Sequence, residues 1–189
     1  MGAGAGRAAA HLQDAGHPVV ALDPSPGAVA VCRSRGIQSM FTGNVFELAA
    51  TTPEPFDTFL LLGNNLGLLA GAEQAPLFLA ALAGMAQPGA RIIGETTDPY
   101  RTSNPAHLDY HDQNRRLGRL PGQLRLRVRH HRIATPWWDY LFCTAEELHQ
   151  ILSPTQWELV ETNAADNVDS DGPGGWPPAQ WAAILALRP

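Results

Sequence analysis

Lysine is missing from this chain; all 13 basic residues are arginine. That absence excludes a lysine Schiff base, a pyridoxal phosphate anchor and a P-loop, each of which needs the primary amine. Cysteine is scarce. Cys32 and Cys143 lie far apart and fit no metal-ligand or redox spacing, which reads as two small core residues of a reduced, cytoplasmic protein. No apolar run is long enough to span a bilayer, and the N-terminus lacks the basic region and apolar core of a secretory signal, so no membrane partner is expected. Positive charge is not in excess. A net charge of −5 over 189 residues argues against a generic nucleic-acid binder, and the length suits one domain with a sizeable core. Asp109, His111 and Asp112 are close in sequence but fall in a stretch expected to be a loop, so no metal site is expected.

What the chain does have, at its start, is glycine. Gly2-Ala3-Gly4-Ala5-Gly6 runs straight into Arg7-Ala8-Ala9-Ala10, a stretch of good helix formers. A glycine-rich turn opening a helix lets the backbone approach a nucleotide-like ligand closely and offers it free N–H groups. Dinucleotide folds use Gly-x-Gly-x-x-Gly; here Arg7 takes the last position of that pattern and Gly6 comes one residue early.

Downstream, helical and strand-like segments alternate. Residues 8–15 read as a helix ending at Gly16, and residues 18–22 as a buried strand ending at Asp23. Ser25 and Pro26 are an N-cap and first helical residue for a helix to about Arg35. Residues 37–41 are a strand candidate before the Gly43-Asn44 turn, and residues 56–62 are the clearest strand, ending in Gly63-Asn64-Asn65. A helix over 73–85, a Pro88-Gly89 turn and a strand over 91–95 follow. This order is that of a doubly wound, mostly parallel α/β sheet. Residues 97–122 are then polar and rich in Pro, Asn, His and Arg, and read as a long excursion. Residues 124–129 alternate Leu and Arg before Val128-Arg129, the pattern of a half-buried antiparallel strand, with residues 137–142 pairing back on it through Ala134-Thr135-Pro136. Thr144 and Glu147 form a capping box for a helix to Leu152. Residues 157–161 are a strand, 163–178 a Gly/Pro/Asp loop, and 181–187 a closing apolar strand.

The glycine spacing, Asp23 at the end of the next strand and the Phe56-Asp57…Gly63-Asn64-Asn65 segment together resemble the class I S-adenosylmethionine-dependent methyltransferases, over about residues 1–95 and 140–187. The resemblance implies a Rossmann-like fold, S-adenosylmethionine as cofactor and methyl transfer to a small-molecule acceptor. It assigns Gly2, Ala3 and Gly4 to the methionine end of the cofactor and Asp23, with Pro24, to the ribose hydroxyls. Asn44 and Val45 fall at the adenine, with the Asn44 carbonyl oxygen in place of the usual Asp carboxylate. Gly63 and Asn64 fall near the cofactor's amino-acid group and transferable methyl. It also implies a strand before the glycine loop. Met1 stands where an aliphatic residue is usual, so the first strand is expected to be missing, through a mis-assigned start or a truncated gene.

The whole chain, 1–189, is expected to form one methyltransferase domain, with 97–140 inserted as a substrate lid. Asn65, Asp98, Tyr100, Trp138 and Tyr140 are the candidates for binding the substrate, aromatic walls with polar tips. No catalytic base is assigned; His111, His130 and His131 are bases only by residue type. The arginines between 115 and 132 read first as a solvated strand face and second as a site for a small anion. A nicotinamide-dependent oxidoreductase shares the fold and the acidic ribose contact, and a non-catalytic or truncated S-adenosylmethionine-binding module is the alternative of a different kind.

Overall fold

The computed structural model describes residues 1–51, 55–164 and 180–189. The chain alternates from the start: α1 (Arg7–Asp14), β1 (Ala21–Asp23), α2 (Pro26–Ser34), β2 (Met40–Thr42), α3 (Val45–Thr51), β3 (Phe56–Leu61), a 3₁₀ turn (Asn65–Leu69), α4 (Ala75–Gly84) and β4 (Ala86–Thr97). After β4 come α5 (Pro105–Arg116), the short strands β5 (Gln123–Leu126), β6 (Arg129–His130), β7 (Ile133–Ala134) and β8 (Trp138–Leu141), then α6 (Ala145–Leu152), β9 (Trp157–Ala164) and β10 (Gln180–Leu187). The loop expected over 163–178 begins inside β9, and its remainder lies outside the described residues.

The pairing is mixed. β1 and β2 are parallel, as are β3 and β4, which is the expected alternation. β10 instead lies antiparallel between β4 and β9, so the larger sheet has the order β3-β4-β10-β9. One face of that sheet carries the core. Phe59, Leu61, Ile92, Ala183 and Leu185 alternate inward and bury against α4 and α6 through Leu79, Leu82, Leu148 and Leu152. Trp157 is the anchor: fully buried, its indole N–H donates to Leu79 O at 2.9 Å and its ring meets Phe59 edge-on at 6.1 Å. Such an aromatic pair contributes roughly 0.5–1.5 kcal/mol beyond its burial. The Cys32 and Cys143 thiols are free and buried, as expected of core residues.

Local signals explain most boundaries. Ser25 Oγ accepts from Ala28 N at the start of α2, and Pro26 at N1 lacks only an N–H that would be unsatisfied anyway. The expected capping box is present at α6: Thr144 Oγ1 accepts from Glu147 N, and Glu147 Oε2 accepts from Thr144 N at 3.0 Å.

Four expectations are corrected. The Pro88-Gly89 turn lies inside β4, where three extra residues between the Phe56–Ala86 and Thr58–Arg91 pairs bulge outward; pairing on both sides overrides the turn signal. The excursion after Thr97 is not all loop, because Asn104 caps α5 by accepting from Ala106 N, and Asp109, His111 and Asp112 therefore sit on a helix. Among the described residues no group of three or more potential ligands is placed to hold a metal. The hairpin turns at His131-Arg132, between β6 and β7, not at 134–136. β5 pairs with β8, Leu124 opposite Tyr140, so the single strand expected over 124–129 is split. No described helix is long and apolar enough to cross a membrane.

Between β1 and β3 lies a cavity of about 680 Å³, lined by Val20, Ala21 and Leu22 on one side and Thr58, Phe59 and Leu60 on the other. Residues 1–3 reach across its end. The Met1 amino group donates to Leu60 O at 2.7 Å, and Ala3 N donates to Leu22 O at 3.0 Å. The glycine loop is thereby tied to both strands that flank it.

Candidate active site

The site is assembled at the carboxyl ends of β1, β2, β3 and β4, where open α/β sheets place ligands. Its floor is the glycine loop. Gly2, Gly4 and Gly6 all have positive φ, at 65°, 53° and 76°. The loop is closed by Gly6 N donating to Ala3 O at 2.8 Å and locked from below by Cys32 and Arg35. The Cys32 thiol donates to Gly4 O, and Arg35 Nη1 donates to Ala5 O at 2.7 Å. Gly6 is required by packing as well as by its backbone. A Cβ there would overlap the Ile37 Cδ1 methyl and lie 2.9 Å from Cys32 Sγ.

Asp23 ends β1 and is buried. Its carboxylate holds the loop and the next turn together: Oδ2 accepts from Gly4 N at 2.8 Å and Oδ1 accepts from Ser25 N at 2.9 Å. Each oxygen has a second lone pair, so the group can still accept from a ligand's hydroxyls. Pro24 sits in the turn between them, ahead of α2. Asn44 caps α3; its Oδ1 accepts from Phe46 N and Glu47 N at 2.9 and 3.1 Å, so the side-chain group it has left for a ligand is the amide nitrogen, a donor. Val45 is buried at the first position of that helix.

At the end of β3, Gly63 and Asn64 turn the chain with φ of 69° and 66°. Two residues of β4 that the sequence did not single out hold this turn. Glu95 Oε2 accepts from Gly63 N at 2.6 Å, and Thr97 Oγ1 donates to Asn64 Oδ1 at 2.9 Å. They are two apart on β4 and so lie on one side of it. The signal available for them was that alternation at the end of a central strand, next to Asp98. Asn65 faces the glycine loop; its Nδ2 donates to Met1 O at 3.1 Å and Gly2 O at 3.4 Å.

The substrate candidates divide. Tyr140 is brought to the site, its hydroxyl donating to Asn64 O at 2.6 Å. Asp98 and Tyr100 are tied to each other and to α6: Asp98 Oδ1 accepts from Tyr100 N, Asp98 pairs with Arg101 at 3.7 Å, and the Tyr100 hydroxyl donates to Glu147 Oε1 at 2.6 Å. Burial, with the Glu147 carboxylate beside it, pushes the Tyr100 phenol up to about 12. Trp138 opens β8, half-buried, opposite Leu126. His111 is buried edge-on to Tyr100 at 5.9 Å, and desolvation, reinforced by Arg115, lowers its pKa. Burial pushes the Cys143 thiol up to about 12, which leaves it protonated and a poor nucleophile. His130 and His131 sit at the exposed hairpin, edge-on to each other with ring centroids 4.3 Å apart. Several of the local arginines have partners: Arg115 pairs with Asp112, Arg125 with Asp139, and Arg127 lies over the Trp137 ring.

Comparison with known proteins fits this geometry. Residues 1–94 match the model of the methyltransferase domain family. A solved S-adenosylmethionine-dependent methyltransferase from Bacteroides fragilis, in complex with S-adenosylhomocysteine, superposes with a TM-score of 0.75 at 22% identity, covering 100% of this chain and 70% of that one. A methyltransferase of the same kind from Methanosarcina mazei gives 0.70 at 13% identity over 99% and 90% of the two chains. The 1,6-didemethyltoxoflavin-N1-methyltransferase of Burkholderia thailandensis, with its small-molecule substrate and S-adenosylhomocysteine bound, gives 0.61 at 16% identity over 100% and 69%. A sequence comparison with curated proteins finds no match. The fold is thus the class I, Rossmann-like methyltransferase fold. Residues 1–94 are similar to the methyltransferase domain, and the solved S-adenosylmethionine-dependent methyltransferases share the fold of the chain.

Proposed function

We propose that the chain transfers a methyl group from S-adenosylmethionine to a small organic acceptor, that residues 1–189 act as one domain, and that residues 97–140 cover the acceptor. The observation that carries this reading is the joint between the glycine loop and Asp23: a loop open to close backbone approach, bonded through Gly4 N to a buried carboxylate with lone pairs to spare. That donor and acceptor set suits a nucleoside with a neighbouring amino acid. The chemistry the cofactor supplies when bound is an electrophilic methyl on a sulfonium, which needs no metal.

The chain's own residues bind and orient. Gly2, Ala3 and Gly4 present backbone to the amino-acid end, Asp23 accepts from the ribose hydroxyls, and Asn44 and Val45 border the base. Gly63 and Asn64, fixed by Glu95 and Thr97, form the wall beside the reacting centre. Positioning of this kind lowers the entropic part of the barrier and excludes water. The Burkholderia neighbour is crystallised with bound 1,6-didemethyltoxoflavin, which supports a small-molecule acceptor here.

The test is transfer of label. Incubated with S-adenosylmethionine labelled in its methyl group and a pool of small amines, phenols and heterocycles, the protein is expected to yield labelled small-molecule products in step with S-adenosylhomocysteine. Label appearing in added RNA or protein and in none of the small molecules would overturn the small-acceptor reading.

A further inference from the structure

We propose that Tyr140 is a positioning residue: its phenol holds the Asn64 carbonyl and so couples the inserted segment that carries it to the loop facing the cofactor. The inference rests on the function proposed above, but its basis is the hydrogen bonding around one residue. Asn64 sits at φ 66°, a backbone conformation that side chains other than glycine adopt at a cost, and it is held there from three directions. Thr97 Oγ1 donates to its side-chain oxygen. Gly67 N and the Tyr140 hydroxyl both donate to its main-chain oxygen, at 2.9 and 2.6 Å, and so use both lone pairs.

That carbonyl belongs to the same rigid peptide unit as the N–H of Asn65. Rotating it moves Asn65, whose side chain holds Met1 O and Gly2 O of the glycine loop. A short path of direct bonds therefore runs from β8 to the cofactor loop. The ring is seated as firmly as the hydroxyl. A Cβ on Gly67 would overlap the Tyr140 ring, so the 3₁₀ turn is shaped to receive it, and Phe142 packs edge-on to it at 5.7 Å. Burial keeps the phenol protonated, pushing it up to about 12, so it remains a donor across the working pH range. Tyr140 is 76 residues from Asn64 in sequence and enters from the inserted segment. Movement of that segment on substrate entry is transmitted to Asn64 and, through Asn65, to Gly2.

Three variants test this. Tyr140→Phe removes the hydroxyl and keeps the ring; Thr97→Val removes the second hold on Asn64; Thr155→Val removes a hydroxyl bonded to Leu152 O, away from the site, as a control for lost stability. Tyr140→Phe is expected to weaken S-adenosylhomocysteine binding about tenfold, and the double variant with Thr97→Val to lose less than the product of the two single effects, because both act on Asn64. Thr155→Val is expected to lower the melting temperature with affinity unchanged.

Amide hydrogen exchange in the ligand-free protein reads the coupling without any ligand. Ala3 and Gly4, bonded to Leu22 O and Asp23, are expected to exchange several-fold faster in Tyr140→Phe and at the wild-type rate in Thr155→Val. Unchanged exchange at these amides, or an equal rise in the control, would overturn the proposal. Failure of the wild type to bind S-adenosylhomocysteine would overturn the functional reading alone, leaving the coupling to be judged by exchange.

Discussion

Replacing Asp23 by alanine is expected to reduce S-adenosylhomocysteine affinity by about a hundredfold or more. The carboxylate is buried at the end of β1 and takes Gly4 N at 2.8 Å and Ser25 N at 2.9 Å, so it shapes the glycine loop before any ligand arrives. Hydrogen bonds to a charged group are worth about 1.5–3 kcal/mol each, and about 1.4 kcal/mol is a factor of ten in affinity. Loss of two such bonds to the ribose hydroxyls therefore accounts for about a hundredfold, and loosening of the loop adds to it. Asp23→Asn keeps the shape and an acceptor oxygen but no charge. It should fall between, near tenfold. Calorimetric titration of the three proteins measures the order directly. Wild-type affinity in the alanine variant would show that Asp23 never meets the ligand.

The second large effect is on the fold. Gly6→Ala is expected to destabilise the protein by about 2–4 kcal/mol, which for a domain of this size lowers the melting temperature by roughly 5–15 °C. Two causes add. Gly6 has φ 76°, which costs an L-residue about 1–2 kcal/mol. The new Cβ would also overlap Ile37 Cδ1 and press on Cys32 Sγ, both buried in the small core beneath the loop. Gly4→Ala separates the causes. Its φ is 53°, yet nothing lies within 4 Å of a Cβ built there, so it should show only the backbone cost, about 1 kcal/mol. Equal melting temperatures for the two variants in the absence of ligand would contradict the packing argument.

Much of this framework is written in local sequence. Ser25-Pro26 and Thr144 with Glu147 mark helix starts because capping is a short-range matter of one side chain and the N–H groups two or three residues on. The β3 strand and Asp23 at the end of β1 follow from apolar runs that stop at polar residues. The same reasoning was available for α5, where Asn104-Pro105 is an N-cap and first helical residue, but the polar stretch around it hid the signal. α3 has seven residues and the 3₁₀ turn five, too short for a period to show. Pro88-Gly89 misleads because a turn dipeptide can equally be a bulge when strands lie on both sides. The bonds that finish the site join residues distant in sequence: Glu95 to Gly63, Thr97 to Asn64 and Tyr140 to Asn64. Each is made by tertiary placement, and no local pattern encodes its partner. Asn44 shows the converse. Its place after β2 was legible, but the use of its oxygen as a helix cap depends on α3.

The central claim is that the glycine loop and Asp23 form a cradle for S-adenosylmethionine and its product. Isothermal titration of the full chain with S-adenosylhomocysteine, and separately with NADH, tests it most directly. The account predicts one-to-one binding of S-adenosylhomocysteine at micromolar strength and no heat from NADH; saturable binding of NADH with none of S-adenosylhomocysteine would contradict it.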